Sequence, residues 1–307
     1  KLQSFYQFHP LLVAYNYATK NRKKSFLSSD LTQLLGYEGK KSVQIGNSMR
    51  ELAQGGYVKY DPVTDIVEFT AKGVLYARAN RETLRPKGKV DFDNIFLTSI
   101  SGAGDNMTYY LESQELKVRG VDTVLLSNTE DIKVKIAPRG KEVIIKKNRD
   151  MSFDGQIFAK NFIFNGSEFD FSYKDFKVNM PKIDSLQFLA DTLLENSLKD
   201  LSGTFQITHP RNKSGLRKMS KYPIFQASDG GRVTFDGQSI LDGVYNDSLI
   251  QFEVNAFTMD SLSERKPEEM EFAGVFKSSG IFPDFEQAVS IMEDRALGFV
   301  HEVAAEG

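Results

Sequence analysis

Beyond residue 89 the sequence is a succession of short apolar or alternating runs, and nothing else in the chain constrains its fold as strongly. Residues 116–118, 121–126, 132–136 and 143–145 are each strand-sized. They lead into a Phe-rich series at 153–155, 157–159, 162–166, 169–173 and 176–180. A Phe-x-Gly unit recurs at 153–155, 164–166, 235–237 and 272–274, and Ile183-Asp-Ser-Leu186 is echoed by Met259-Asp-Ser-Leu262. Each Phe-x-Gly reads as a strand end followed by a glycine free to take positive φ. Short strands repeated in this way favour a β-solenoid, in which each rung covers its neighbour's apolar face. The alternative is an antiparallel meander or sandwich, for which Asn165-Gly166 between aromatic residues is a two-residue hairpin signal. The 24 Phe and 12 Tyr, with no Trp, lean the same way, since Phe and Tyr favour strands. Residues 191–201 and 285–293 are the helical candidates of this half.

The first 85 residues have a different rhythm. Pro10–Lys20 reads as a helix, with Pro in its first turn and Leu11, Tyr15 and Ala18 on one stripe. The run Asn21-Arg22-Lys23-Lys24 ends it. Ser29 is placed to cap a short helix over 30–35, closed by Gly36, and a third helix spans about 40–54 before Gly55-Gly56. Residues 57–60 and 66–69 alternate on either side of Asp61-Pro62 as a hairpin, and Thr70 caps a last helix that runs to about Arg81. The fold class expected is therefore α+β and multidomain, with a small helical domain over 1–85 and a β-rich repeat region over 86–307. The stretch 81–89, basic and holding Pro86 and Gly88, has linker composition.

Charge divides along the same line. Residues 1–89 carry 15 Lys and Arg against 7 Asp and Glu, whereas the remainder carries 24 against 34. A basic head can meet nucleic acid, an anionic surface or the acidic remainder of its own chain. The chain has no Cys, which excludes disulfides, thiolate nucleophiles and Cys-ligated metals. His9, His209 and His301 have no ligand-like spacing, so no cofactor or metal is expected. No apolar run approaches the ~20 residues of a membrane-spanning helix, so no transmembrane segment is expected.

Three helices, a hairpin and a closing helix in that order resemble the winged-helix family, over about residues 8–82. The resemblance implies a third helix able to enter the major groove, with the hairpin as a wing on the backbone. Its outward face would hold Lys40, Val43, Gln44, Asn47, Arg50, Glu51 and Gln54, opposite a core stripe of Ile45, Met49 and Leu52. Gln44, Asn47 and Arg50 can pair with base edges, and Lys40 and Lys59 can meet phosphates. Glu51 has the wrong sign for that surface, and Val43 stands at its centre. A spacer or protein-docking role is therefore favoured over DNA binding.

Residues 162–180, the block His209-Pro-Arg-Asn-Lys-Ser-Gly215 with Tyr222-Pro223, and Phe276-Lys-Ser-Ser-Gly-Ile-Phe-Pro283 are similar to stretches of very large, uncharacterised β-repeat proteins of Gram-negative bacteria. This resemblance implies a periplasmic, outer-surface or exported setting and a scaffold-like role, with another envelope protein or a glycan as partner. A cytoplasmic location would go with DNA binding by the head.

Catalytic signatures are absent. There is no Gly-x-Ser-x-Gly, no His-Glu-x-x-His and no phosphate loop at Gly102-Ala-Gly104-Asp105. Asp150, Asp154, Asp170 and Asp175 could serve a β-helical polysaccharide enzyme only if two of them converge. The most pointed surface feature is 209–221, where Arg211, Lys213, Arg217, Lys218 and Lys221 stand without an acidic residue in an acidic region. This run is the candidate anion, glycan or partner contact. The expected function is a non-enzymatic structural or interaction segment, ahead of a DNA-binding protein and of a polysaccharide-active enzyme.

Overall fold

The computed structural model of the chain describes residues 10–32, 34, 42–79, 93–100, 102, 104–129, 132–190, 192–194, 196–215, 217–235 and 249–301. The chain is mostly β and divides into two compact units, 1–93 and 94–307. The linker expected at 81–89, Lys40 and Gly237 lie outside the described residues, as do residues 33 and 35 of the helix expected at 30–35.

In the first unit α1 (Pro10–Lys20) buries Leu11, Ala14 and Ala18. A short strand β1 (Ser25–Leu27), missed in the sequence, follows the basic run. Ser28–Leu31 is a 3-10 turn where an α-helix was expected to begin. Then come α2 (Ser42–Gln54), the hairpin β2 (Val58–Asp61) and β3 (Ile66–Phe69), and α3 (Ala71–Ala79). The strands form one antiparallel sheet in the order β1-β3-β2. Thr70 caps α3 by accepting the Gly73 amide at 3.0 Å. Ile45 and Met49 of α2 are buried with Leu11, Phe26, Leu31, Val58 and Val67, the apolar face that the 3.6-residue period requires.

The second unit runs through β4 (Phe96–Leu97), β5 (Met107–Tyr110), β6 (Glu115–Arg119), β7 (Val124–Asn128), β8 (Lys133–Pro138) and β9 (Glu142–Ile145). The long strands β10 (Met151–Ala159), β11 (Phe162–Ser172), β12 (Lys177–Phe188) and β13 (Leu198–Gln206) follow. The last are β14 (Ile224–Ala227), β15 (Gly231–Thr234), β16 (Gln251–Val254), β17 (Thr258–Met259), β18 (Glu271–Lys277), β19 (Phe285–Ile291) and β20 (Leu297–Gly298).

Strands β10 to β13 form a four-strand antiparallel meander, and the sheet forks at both of its sides. β10 pairs with β9 through Met151 and Ser152 and with β8 through 155–159. β13 pairs with β15 through Leu198 and Lys199 and with β14 through 203–206. Among the described residues β4, β5, β17 and β20 each pair along one edge, with β7, β6, β14 and β19, so the sheet stays open.

Every strand pair among the described residues is antiparallel, whereas the stacked rungs of a solenoid pair parallel. The meander named as the alternative therefore describes β10–β13, and the solenoid reading is corrected. The reason lies in the pattern itself: alternation such as that of Val178, Met180, Leu186 and Phe188 specifies a half-buried strand but not its partner's direction.

The second unit has one hydrophobic core cluster, in which buried Phe rings are the largest side chains. Rings in sequence Phe164–Phe225, Phe225–Phe257, Phe257–Phe272 and Phe272–Phe188 lie 4.8, 5.9, 4.9 and 5.7 Å apart. The contact of Phe272 with Phe188 brings β18 against β12, with which it does not pair. Two helical expectations fail here. Residues 285–291 form β19, and 198–201 open β13, because their partners β18 and β12 supply ladders that local propensity does not reveal.

Candidate functional site

The basic segment 209–221 leaves the end of β13 as a tied loop. Asn212 is its hub: its buried side chain donates to the Arg217 carbonyl at 2.9 Å and accepts the Arg217 amide at 3.1 Å. The Asn212 amide donates to the His209 carbonyl at 2.7 Å. Gly215 holds a φ of +69° and packs against Thr129, and Asn94 Nδ2 donates to the Ser214 carbonyl at 3.0 Å. The loop is thus part of the packed structure, while its cations have separate fates. Lys213 donates to the Pro210 carbonyl at 2.9 Å and lies over the Tyr173 ring. Lys218 pairs with Glu264 at 3.5 Å, and Lys221 lies over its neighbour Tyr222. Arg211 and Arg217 are exposed and form no ion pair among the described residues.

In the first unit, Gln44, Asn47 and Arg50 stand exposed on α2, as the period predicts, and Lys59 is exposed on β2. Arg50 Nη1 donates to Asn47 Oδ1 at 2.7 Å, so two of the three base-reading candidates bond to each other. The hairpin tip is acidic. Asp61 accepts the Val63 amide at 2.9 Å and the Thr64 hydroxyl at 2.7 Å, which hold its carboxyl below the usual carboxylate range. Val63 projects 91% exposed between Asp61 and Asp65. A wing that grips phosphates needs cations at this point.

The four candidate carboxylates of the β unit each hold the framework. Asp154 accepts the Glu168 amide at 2.7 Å and Asp150 the Tyr173 amide at 2.8 Å. Asp170 receives Lys146 and the Ser152 hydroxyl, both at 2.6 Å. Burial works against the charge on Asp170, but those two donors outweigh it and keep its carboxyl below the usual range. Asp175 exchanges bonds with Ser172 in a turn. Among the described residues no three His, Asp or Glu side chains converge to hold a metal, and no helix is long and apolar enough to cross a membrane.

Three features went unread in the sequence. One is an apolar pocket of about 370 Å³ lined by Phe276, Phe282, Pro283, Phe285, Phe299 and His301. The His301 ring stacks on Phe285 with centroids 3.9 Å apart. Another is the bare edge of β5, where Met107 and Tyr109 are 58% and 55% exposed beside Leu111 at 81%. The third is a groove against α1, lined by Tyr15, Arg22, Lys24 and Phe69 among others. The signal for the edge was present as Met-Thr-Tyr-Tyr-Leu, an apolar run with no charge. The other two need residues that only folding brings together.

Comparison with protein-family models, with curated proteins and with solved structures gave no match.

Proposed function

We propose that the chain is a non-enzymatic interaction segment of a large envelope or exported protein, with a winged-helix module at its head and a β framework that docks a partner strand. The observation that carries this reading is the edge of β5. Natural sheets protect free edges with short strands, charges or Pro. Among the described residues of the second unit, the other strands that pair along one edge only, β4, β17 and β20, are two residues long, and the part of β19 left without a second partner carries Glu286, but β5 runs for four with Met107, Tyr109 and Tyr110 exposed and no charge within it. Exposed apolar surface beside unpaired backbone suits strand addition by another protein. The exposed carboxylates Asp105 and Glu112 flank the edge, so the complementary strand is apolar within and basic at its ends.

The framework duties of Asp150, Asp154, Asp170 and Asp175 weigh against a polysaccharide enzyme, and the acidic hairpin tip weighs against DNA. The test pairs two assays on the whole chain. One is sugar release from envelope polysaccharides; the other is binding to a synthetic strand of Val, Thr and Tyr with Lys at both ends. No release, and binding that Met107→Lys with Tyr109→Lys abolishes, is expected. Polysaccharide turnover lost in Asp170→Asn would overturn the reading.

A further inference from the structure

We propose that the groove of the first unit between α1, β3 and the start of α3 binds an acidic segment of a partner protein, with one bulky apolar side chain of that segment seated on its floor. The groove measures about 560 Å³, within the size range of binding clefts. Its floor is apolar: Tyr15 and Phe69 meet edge to face with ring centroids 5.6 Å apart, beside Ala18 and Val74. Its rim is cationic, with Arg22, Lys23 and Lys24 at the end of α1.

The three cations are not equivalent. Lys23 donates to the Tyr17 hydroxyl at 2.9 Å and pairs with Asp30 at 3.0 Å, so it is committed to the fold. Arg22 and Lys24 are exposed and form no ion pair among the described residues. Arg22 also occupies the left-handed position that ends α1, with φ +52°, next to the Lys23 amide bonded to the Ala18 carbonyl at 2.9 Å. Glycine takes that position without strain. An arginine there keeps a cation over the groove at a conformational cost, which points to a use for its charge.

The charge pattern chooses the occupant. Two uncommitted cations above an aromatic floor match carboxylates flanking an apolar anchor. Glu68, on the rim opposite in sign, repels a carboxylate at its end and so gives the occupant a direction. A nucleic acid would bring evenly spaced phosphates past Glu68 and toward the acidic hairpin tip. The proposal is independent of the β5 edge, which lies in the other unit.

The test is fluorescence anisotropy with the whole 307-residue chain. The probe is a ten-residue peptide of Glu and Asp around one Phe and one Leu. Matched peptides carry Gln for the acids or Ala for the apolar pair, and a thymidine oligonucleotide serves as the nucleic-acid arm. The acidic apolar peptide should bind, and each matched peptide should bind at least about tenfold more weakly, as expected when hot-spot or rim contacts are removed. Arg22→Glu with Lys24→Glu should cause a similar loss without lowering the melting temperature. Arg22→Gly should weaken binding while raising the melting temperature, a combination that a purely structural arginine would not give. No peptide binding, equal binding by the charge-reversed variant or by the Ala peptide, or tighter binding of the oligonucleotide, would overturn the proposal.

Discussion

Gly155 of β10 and Gly166 of β11 face each other across the meander, and the ladder is broken beside both. Gly155 has φ +139°, and a Cβ on it would collide with the Ala137 carbonyl of β8. A Cβ on Gly166 would collide with the Lys182 carbonyl of β12. The two glycines therefore let four neighbouring strands approach at one level, and the bulges there free the Glu168 amide that Asp154 accepts.

Replacing either glycine should thus be costly. Gly155→Ala and Gly166→Ala are each expected to destabilise by about 2 kcal/mol or more, the scale of overpacking with backbone strain. Gly140→Ala is the control: its φ is +69° but open space surrounds it, so about 1 kcal/mol is expected. Urea denaturation of the three variants checks the ranking.

This pair also shows how far the sequence could be read. Phe-x-Gly was taken as a strand end, and Asn165-Gly166 as a turn, yet both units at 153–155 and 164–166 lie inside long strands. Glycine serves open turns and close backbone approach alike, and only the neighbouring strand decides which. The α-helices of the first unit were legible because their period and caps are local: Pro10–Lys20 and the Thr70 cap stand where expected, whereas the helices read at 191–201 and 285–293 overlap strands β13 and β19. Of the site residues, Gln44, Asn47 and Arg50 were placed correctly on an exposed face, but their mutual hydrogen bond was not visible. The groove cations Arg22 and Lys24 were read as a helix terminator, since Phe69 and Val74 are distant in sequence.

Asp65 should make the first unit sensitive to acid. It accepts bonds from the Ser28 hydroxyl, the Ser29 amide at 3.0 Å and the Tyr60 hydroxyl at 3.1 Å. Burial opposes its charge, but these donors win and hold its carboxyl below the usual range. The folded carboxyl is thus the more acidic one, and its contribution is present above the unfolded value of about 3.9 and lost as pH falls below it. Asp65→Ala should cost about 2 kcal/mol at neutral pH, because three donors lose their acceptor. Asp65→Asn suits the positive φ of 59° and should cost less while flattening the acid limb. Helical ellipticity followed against pH and temperature separates the two.

The basic loop should respond to its amide more than to its charges. Asn212→Ala should destabilise by about 2 kcal/mol, because it removes a buried side chain that satisfies the partly buried amide and carbonyl of Arg217. Arg211→Glu with Arg217→Glu should stay within about 0.5 kcal/mol, as exposed substitutions do. Thermal melts of the two variants give the comparison.

Duplex DNA should bind no tighter than about micromolar at 0.15 M salt, the non-specific range. Arg50→Ala should change this little, since Arg50 is turned onto Asn47. Nanomolar affinity for one sequence, lost in Arg50→Ala, would restore the nucleic-acid reading.

The docking role of β5 is tested most directly by a photo-crosslinking residue placed at Tyr109 in the whole chain, mixed with the Lys-ended synthetic strand. Glu271 of β18, exposed on a paired strand, is the matched control position. The account predicts a crosslink from position 109 that a Pro within the synthetic strand abolishes, and none from 271. Equal yield from both positions, or a crosslink at 109 indifferent to that Pro, would contradict it.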